Sequence, residues 1–401
     1  MSARPAAWPA AHPLRRAPAA AWGAQSPAAP RGGRVLLVGP CPPPHGGISV
    51  HVAMASRMLA EAGMACRVLD VDAPRGRKER ARHAVGPLAV EIRRAAAAGW
   101  AVHLHINGHN RGSWLLALAC GLAARPAPLR VLTVHSGMAP AYLGERRGAW
   151  LPRFALGLYD RVVCVNPEIR AAVEGRGVAE HRTVLVPAYL GTGERLNESR
   201  RESTWFHGAR PESERLDSLP GELRAFLAEH APVLVATSCF RPEYGVDLLI
   251  EAMRSLVARH PQLGCVLLGS GEGEPAARRG LTEAGIEQRV CLTGDLPHEV
   301  ALELMARSDV FVRPTHADGD SLSVREALAL GLPVVASDAA PRPSGVTVCR
   351  SGDVGDLVAK LSTVLAQPLA PPPADEPVGI ESLLAAYAPR GAGRARGRGR
   401  R

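Results

Sequence analysis

The sequence predicts an α/β fold made of two consecutive Rossmann-like, doubly wound domains that face each other across a cleft, with disordered basic tails. Three observations predict it. Short, continuous apolar segments alternate with amphipathic Ala- and Leu-rich segments, the pattern of buried parallel strands joined by helices. This alternation breaks once near mid-chain, and 401 residues exceed what one hydrophobic core usually supports. The low aromatic content, 4%, favours helices packed on parallel sheet over an all-β sandwich.

The first domain is predicted to span residues 33–190, after a disordered Ala/Pro/Arg-rich segment at 1–32 that cannot form a core. Order is expected to begin at Arg34–Gly39, an apolar segment ending in glycine and typical of a buried strand. Further elements are predicted in chain order: strands at Cys66–Val71, Ala101–Ile106, Arg130–Val134, Arg161–Val165 and Thr183–Val186, and helices such as Val50–Ala62 and Ser113–Ala124.

Residues 191–230 are rich in Glu, Ser and Arg and are predicted to be a linker or insert. The second domain is expected over 231–367, where the strand–helix pattern returns. Its strands are predicted at Pro232–Thr237, Cys265–Gly269, Val290–Thr293, Val310–Arg313 and Pro333–Ser337, and its helices at Val246–His260, Glu274–Ala284, Pro297–Arg307, Ser323–Ala329 and Val354–Leu365. Residues 368–401 are read as a Pro-rich segment, a short helix at Ile380–Ala386 and an Arg/Gly tail.

The distribution of charge excludes several functions. The formal net charge is +10, and the acid-free segments at the two ends carry much of the excess. Such tails could contact an anionic membrane surface, but solvated disorder is favoured. No aromatic residues interleave with the terminal Arg run, so nucleic acid is not an expected partner. Lys78 and Lys360 are the only lysines and no GxxxxGK[ST] loop exists, which excludes a P-loop NTPase.

The cysteine pattern and the hydropathy indicate a cytoplasmic protein. The eight cysteines include no C-x-x-C pair, which argues against a structural zinc site or a disulfide framework. Prolines interrupt the N-terminal segment, so no signal peptide is predicted, and no apolar run reaches the roughly 20 residues that span a bilayer. At most, peripheral contact with the inner face of the cell membrane is expected.

The densest functional signal runs from Arg313 to Asp338. A strand ends, a polar loop follows, and small polar residues begin a helix, whose free amides suit a diphosphate. Glu326 lies one turn inside this helix and Asp318 eight residues earlier, so the two carboxylates could hold ribose and sugar hydroxyls on either side of the diphosphate. The residues predicted to meet the diphosphate are Ser321, Leu322 and Ser323.

This segment resembles the donor-site signature of the retaining glycosyltransferases of family 4, the glycosyl transferases group 1 with the GT-B fold. The match is Glu326-Ala-Leu-Ala-Leu-Gly331-Leu-Pro333-Val-Val, with Asp318 in place of the first Glu of E-x7-E. The resemblance covers residues 34–365 and is weaker in the first half. It implies a nucleotide-diphosphate sugar donor, no metal or other cofactor, and the roles of Asp318, Glu326 and His135 as the catalytic set.

The resemblance extends to other loops. Gly269 and Gly271 fall in a G-x-G loop near the nucleotide, and the loop from Thr293 to Leu296 would meet the base. His135 follows a strand, where family members often carry a histidine that contacts the donor sugar. Taken alone, a histidine there is more often structural, and a GxGxG is as often a plain turn. The residues expected on the acceptor side are His45, Gly46, Gly47, His105 and Asn107.

The sequence also departs from the family. Cys239 and Tyr244 stand where an Arg and a Lys usually bind the diphosphate. Arg241, two residues away, is predicted to supply the charge, with Arg313 or Arg325 as alternatives. The two D-x-D motifs, Asp70–Asp72 and Asp318–Asp320, are not interpreted as metal sites.

The sequence therefore predicts a glycosyltransferase that moves a sugar, with retention, to an unidentified acceptor that could be lipid-linked, as in polysaccharide biosynthesis. A catalytically impaired GT-B scaffold is the alternative, because the usual diphosphate cations are missing. An NAD-dependent oxidoreductase or epimerase is a distant third, because the first strand is followed by GPCPPPHGG and not by G-x-G-x-x-G.

Overall fold

The computed structural model describes residues 33–71, 85–145, 150–188, 219–367 and 380–388. The predicted tails at 1–32 and beyond 388, and residues 191–218 of the predicted linker, lie outside the described residues. Of the two D-x-D motifs, Asp318–Asp320 is described in full, whereas Asp70–Asp72 lacks Asp72, which is also outside the described residues.

The first lobe is a six-stranded parallel sheet with the order β2-β1-β3-β4-β5-β6. Its strands are β1 Arg34–Gly39, β2 Ala65–Asp70, β3 Ala101–Ile106, β4 Arg130–Val134, β5 Arg161–Cys164 and β6 Thr183–Leu185. Its helices are α1 Gly47–Glu61, α2 Val85–Ala97, α3 Arg111–Ala123, α4 Ala139–Gly144, α5 Trp150–Gly157 and α6 Pro167–Glu174. Asparagines start two of them: the side chain of Asn110 caps α3 and that of Asn166 caps α6.

The second lobe is another six-stranded parallel sheet, with the order β12-β11-β10-β7-β8-β9. Its strands are β7 Val233–Thr237, β8 Gly264–Leu268, β9 Val290–Leu292, β10 Val310–Arg313, β11 Val334–Ser337 and β12 Val346–Cys349. Its helices are α7 Gly221–Glu229, α8 Val246–Val257, α9 Glu274–Ala284, α10 His298–Ala306, α11 Leu322–Ala329 and α12 Val354–Ala366. Two parallel, helix-covered sheets confirm the predicted α/β fold class.

Each sheet has one point where the strand order reverses. In the first lobe this point lies between β1 and β3, and in the second between β7 and β10. Ligands of open α/β sheets bind outside the carboxyl ends of the strands at such switch points. The loops that follow these four strands are therefore expected to form the site.

Apolar residues cover both faces of both sheets, so each lobe has its own core on either side. Helix α7 lies inside the expected linker at 191–230, but Leu219 and Leu223 pack into the second lobe with Val235 and Phe311. The linker prediction is therefore wrong for these residues.

A last helix, α13 Ile380–Ala385, packs on the first lobe although it follows the second in sequence. Leu383, Ala386 and Tyr387 are buried against β1, β3 and α1. The chain therefore passes between the lobes twice.

None of the helices that the structure describes is both long and apolar enough to cross a lipid bilayer.

Candidate active site

A cavity of about 310 Å³ lies between the lobes at the carboxyl ends of both sheets. The loops after all four switch-point strands line it: His45–Gly47 after β1, Asn107 after β3, Ser238–Cys239 after β7 and Asp318 after β10. Its size lies at the lower end of the range of ligand-binding cavities. The topology of the two sheets thus brings loops distant in sequence into one site.

Helix α11 begins at this cavity. Its N-cap is Ser321, whose Oγ accepts a hydrogen bond from the amide of Val324 at 3.4 Å. The first helical amides, those of Leu322 and Ser323, have no acceptor among the described residues, and both residues line the cavity. Because the amino end of a helix carries partial positive charge, this end is suited to an anion.

Glu326 is buried beneath this helix start, with 4% of its surface exposed, yet lines the cavity. The Nε2 atom of His298, the first residue of α10, donates a hydrogen bond to its Oε1 at 2.7 Å. Burial opposes the charged form of His298, but the charge and hydrogen bond of Glu326, together with the charge of Glu299, outweigh burial and raise the pKa of this histidine. A carboxylate has about four acceptor positions, so Glu326 can still accept hydrogen bonds from a ligand.

Asp318 lines the cavity, but two arginines hold its carboxylate. Arg313 donates from Nε and Nη2 at 3.1 and 3.2 Å, and Arg342 donates from Nη1 at 2.9 Å. Burial favours the neutral acid, but Arg313 and Arg342 outweigh it and lower the pKa of Asp318 to about 2. The carboxylate of Asp318 is therefore charged, and both of its oxygens already accept hydrogen bonds from arginines of the protein.

Arg241 differs from Arg313 in this cavity. It is exposed, and it forms no salt bridge with a carboxylate in the described part of the chain. Arg325, the other alternative in the sequence, is paired with Asp320 at 2.8 Å. Among the described arginines that line the cavity, Arg241 has the charge available for a ligand.

The loop Gly269–Gly273 combines a cavity-lining role with a packing role. Gly269 lines the cavity with φ of +117°, a conformation that favours glycine. Gly271 does not line the cavity, and a Cβ there would collide with the backbone oxygen of Cys239. The prediction that Gly271 binds the donor is corrected on this point: a glycine is needed there because two backbones approach closely.

In the first lobe, the glycine-rich loop reaches the second lobe. The backbone amide of His45 donates to Oδ1 of Asp295 at 3.0 Å, and its Nδ1 lies 3.2 Å from Oδ2. Gly46 caps α1 and, like Gly47 and Asn107, lines the cavity. These four residues lie on the side where the sequence placed the acceptor.

His105, which was expected on the acceptor side, does not line the cavity. It points into the core beneath the cavity, with 2% of its surface exposed. Its Nδ1 lies 3.1 Å from Nε2 of His135, which does line the cavity. Burial and the neighbouring histidines His51 and His103 lower the pKa of His135, so its ring is neutral near pH 7.

The two lobes touch beside the cavity. A Cβ on Gly137, after β4, would collide with the backbone oxygen of Asp318, and a Cβ on Gly319 would collide with the backbone oxygen of His135. Asn166 donates from Nδ2 to the oxygen of Gly319 at 3.0 Å, and the amide of Ala188 donates to Asp320 at 2.6 Å. These contacts hold the loop after β10 against the first lobe.

Sequence reasoning missed several residues that shape the site. They are His298, Arg342, Asp295, Gly137 and Asn166. Each acts through a partner far away in sequence. No local spacing identified these contacts, although Asp295 lies within the loop that had been assigned to the base and His298 follows that loop by two residues.

Two family models match the chain. Residues 45–188 match Glycosyltransferase Family 4, and residues 224–368 match Glycosyl transferases group 1. Together they account for more than two thirds of the sequence.

Curated relatives are similar over part of the chain. One is the GDP-mannose-dependent monoacylated alpha-(1-6)-phosphatidylinositol monomannoside mannosyltransferase of Corynebacterium glutamicum, 33% identical over 34% of this chain and 39% of the relative. Another is the alpha-D-kanosaminyltransferase of Streptomyces kanamyceticus, 23% identical over 60% of each chain. The matched parts therefore span less than two thirds of these relatives.

Solved structures share the fold over most of the chain. Sucrose-phosphate synthase from Thermosynechococcus elongatus has 17% sequence identity and a TM-score of 0.62, and HepE of Anabaena in complex with UDP-glucose has 16% and 0.59. Each comparison covers 88% of this chain and 94% of the solved one. The chain has the GT-B fold and belongs to the family 4 glycosyltransferases of group 1.

Proposed function

We propose that this protein transfers a sugar from a nucleoside-diphosphate sugar to an acceptor hydroxyl group, with retention at the anomeric carbon. The observation that carries the proposal is the start of α11, where free amides and a buried carboxylate, Glu326, meet in one interlobe cavity. An anion site beside a hydrogen-bond acceptor suits a diphosphate attached to a polyhydroxyl group.

In this proposal the second lobe binds the donor. The amides of Leu322 and Ser323 and the guanidinium of Arg241 hold the diphosphate. Glu326, oriented by His298, accepts hydrogen bonds from ribose hydroxyls. Transfer breaks the bond between the anomeric carbon and the diphosphate oxygen and forms one to the acceptor oxygen, whose proton passes to the departing diphosphate. The amides and Arg241 stabilise the charge on the leaving diphosphate, so the proposal needs no metal ion.

The sugar lies between the lobes in this proposal. His135 is neutral and can donate or accept a hydrogen bond to a sugar hydroxyl. Asp318 contributes through the backbone of its loop and through the carboxylate lone pairs that Arg313 and Arg342 do not use. The acceptor approaches along Gly46, Gly47 and Asn107.

The relatives support a hexose donor and allow a lipid-linked acceptor. The Corynebacterium protein is named a mannosyltransferase that uses GDP-mannose and acts on a phosphatidylinositol mannoside. HepE of Anabaena was solved with UDP-glucose. We therefore include GDP-mannose and UDP-glucose in the first donor panel. All eight cysteines are free, which supports a cytoplasmic location.

A binding protein without transfer activity is a second candidate. Cys239 lines the cavity where the family usually has a cation, and Tyr244 stacks under Arg313, with 4.8 Å between the guanidinium carbon and the ring. The guanidinium of Arg313 is already paired with the carboxylate of Asp318. This leaves Arg241 as the main counter-charge for a diphosphate.

The test combines donor binding with product analysis. The full chain is titrated calorimetrically with UDP- and GDP-sugars, and the best donor is incubated with acceptors and with water while product mass is followed. Saturable binding of one donor and a mass gain of one sugar are expected. Binding without any transfer or hydrolysis supports the second candidate, and failure to bind any nucleotide sugar overturns both.

Replacing Glu326 by Gln tests the role of its charge. The amide keeps an oxygen that can accept from His298, so the fold is retained, but the charged acceptor for ribose is lost. We expect donor affinity to fall about 10-fold or more, the equivalent of about 1.4 kcal/mol. If the folded Glu326→Gln protein binds the donor with unchanged affinity, the charge of Glu326 does not take part in donor binding.

A further inference from the structure

Three histidines meet on the first-lobe side of the cavity floor. His51 comes from α1, His105 from β3 and His135 from the residue after β4. Their exposed fractions are 2%, 2% and 9%. One ring nitrogen from each lies within 4.8 Å of one from each of the others. The proposed transfer uses only His135, so the other two call for a separate explanation.

A backbone hydrogen bond determines which ring nitrogen of His51 is free to bind an ion. Its Nδ1 lies 2.6 Å from the carbonyl oxygen of Ala188, and because a carbonyl can only accept, Nδ1 carries the hydrogen. Nε2 is then left with a lone pair. The amide of the same Ala188 donates to the Asp320 carboxylate at 2.6 Å, and this hydrogen bond helps to fix the residue whose carbonyl holds His51. Outer partners of this kind orient metal-binding histidines and raise their basicity.

His105 is the histidine whose hydrogen-bonding capacity is left open. Its Nε2 is buried and has no hydrogen-bond partner. Its neighbour His103 does not compensate, because the Nδ1 and Nε2 atoms of that ring are bonded to Tyr387 and Thr133 at 2.5 and 2.7 Å. A buried nitrogen without a hydrogen-bond partner destabilises the fold unless another group binds there.

The ring nitrogens of the trio are near the spacing that one metal ion requires. Nδ1 of His105 shares a hydrogen bond with Nε2 of His135 at 3.1 Å, so Nε2 is the nitrogen of His105 that is free to bind an ion. One nitrogen of each ring lies within 4.8 Å of one from each of the other two, and two nitrogens on a tetrahedral Zn²⁺ ion, at about 2.0–2.1 Å from the metal, are roughly 3.3 Å apart.

We propose that His51, His105 and His135 form a binding site for one divalent transition-metal ion of the Zn²⁺ class. Imidazole nitrogens suit Zn²⁺, Co²⁺ and Ni²⁺ more than Mg²⁺ or Ca²⁺, which prefer oxygen. Three protein ligands leave a position for water or a ligand oxygen, and His135 borders the cavity from which it would come. The site lies on the first lobe and is distinct from the proposed diphosphate site at α11.

Cobalt gives a direct test that does not depend on enzyme activity. The full chain, treated with a chelator and then freed of it, is titrated with Co²⁺. We expect one equivalent to give the visible absorption bands of a four-coordinate ion and Zn²⁺ to displace it. A thiolate-to-cobalt charge-transfer band would identify cysteine ligands instead and overturn the assignment. Absence of a saturable one-to-one signal would overturn it as well.

Variants identify the ligands. His51→Gln, His105→Ala and His135→Ala should each weaken Zn²⁺ binding by more than the roughly 10–100-fold that loss of an outer partner costs. The matched control is His109→Ala. His109 lines the same cavity, but its Nδ1 is bonded to Ser136 at 2.8 Å and it lies outside the trio. Equal weakening in the control would contradict the proposal.

Folding of the variants is checked by thermal melting without metal. If a variant of the buried His51 or His105 does not fold, His135→Ala at the cavity edge still tests the site. Zn²⁺ should raise the melting temperature of the unsubstituted protein and of His109→Ala, and leave that of His135→Ala unchanged. An equal rise in His135→Ala would contradict the proposal.

Discussion

At the scale of single residues, the availability of charge distinguishes Arg241 from Arg313. Arg313 is buried and donates to both oxygens of Asp318 and to Thr237. Burial opposes its charge, but Asp318 outweighs burial and raises the pKa of Arg313. Arg241 has no carboxylate partner in the described chain and faces solvent at the mouth of the cavity. An incoming diphosphate therefore gains more from Arg241.

Replacing Arg241 by Ala should weaken donor binding about 10- to 100-fold, because a hydrogen bond to a charged group contributes about 1.5–3 kcal/mol. Calorimetric titration with the best donor measures the loss. The control is Arg278→Ala, an exposed arginine of α9 paired with Glu274 at 2.7 Å. A fall of the same size in the control would indicate that only overall charge matters.

The Glu326–His298 pair predicts a pH dependence of stability. The folded-state pKa of His298 is raised above 6.5, so protonation favours the folded state. This contribution is fully present below pH 6.5 and is lost as the pH rises through the higher folded-state value. The melting temperature of the unsubstituted protein should therefore approach that of His298→Gln as the pH rises above about 6.5. A gap that widens over this range would contradict the prediction.

The residues of the site differ in how far sequence reveals them. Ser321 and Glu326 stand in one short segment whose pattern can be read directly. The pairing of Asp318 with Arg342 depends on a contact across 24 residues, and the pairing of Glu326 with His298 on one across 28. The histidine trio was missed for the same reason, because each member comes from a different element.

At the scale of elements, the start of α11 combines structure with the proposed binding. Ser321 caps the helix, and Ser323 Oγ lies 3.0 Å from Thr237 Oγ1 at the end of β7. The cap positions the amides and the side-chain contact fixes the helix against the neighbouring strand. A change in the cap is thus expected to affect both stability and donor binding.

Ser321→Ala should lower the free energy of unfolding by about 1 kcal/mol, as loss of an N-cap usually does. The matched control is Asp353→Ala, which removes the cap of α12, where Asp353 accepts from the amide of Asp356 at 2.9 Å. Both variants should lose similar stability in denaturant titrations, and only Ser321→Ala should lose donor affinity. If the two variants bind the donor equally well, the cap of α11 does not contribute to donor binding.

Most strands could be predicted because a buried parallel strand is a short apolar run, as at Val310–Arg313 and Val35–Val38. Strand β12, Val346–Cys349, was missed because it lies at the edge of its sheet and is mostly half-exposed. Helix α7 was missed because its charged sequence resembles the linker that precedes it. It is held by Leu219 and Leu223, whose burial depends on strands that follow.

At the scale of the whole molecule, the fit between the lobes depends on backbone contact. Gly137 of the first lobe and Gly319 of the second have no room for a Cβ because each meets the opposite backbone. The hydrogen bonds from Asn166 and Ala188 add to this contact. A closed cavity therefore requires glycine at both positions.

Gly137→Ala should hold the lobes apart at this point, because its Cβ meets the oxygen of Asp318. We expect a larger radius of gyration by small-angle scattering and weaker donor binding, with each lobe still folded. Gly144→Ala is the control, since a Cβ there meets no atom within 4 Å. If Gly137→Ala binds donor normally, closure at this contact is not needed for binding.

The position of α13 has a consequence for synthesis of the protein on the ribosome. Leu383 and Tyr387 complete the face of the first lobe that also contains Val35 and Leu37. During translation the first lobe therefore emerges with part of its apolar surface uncovered, and that surface is covered only after the second lobe and residues 380–388 have been made. The lobe encoded first is the one that matures last.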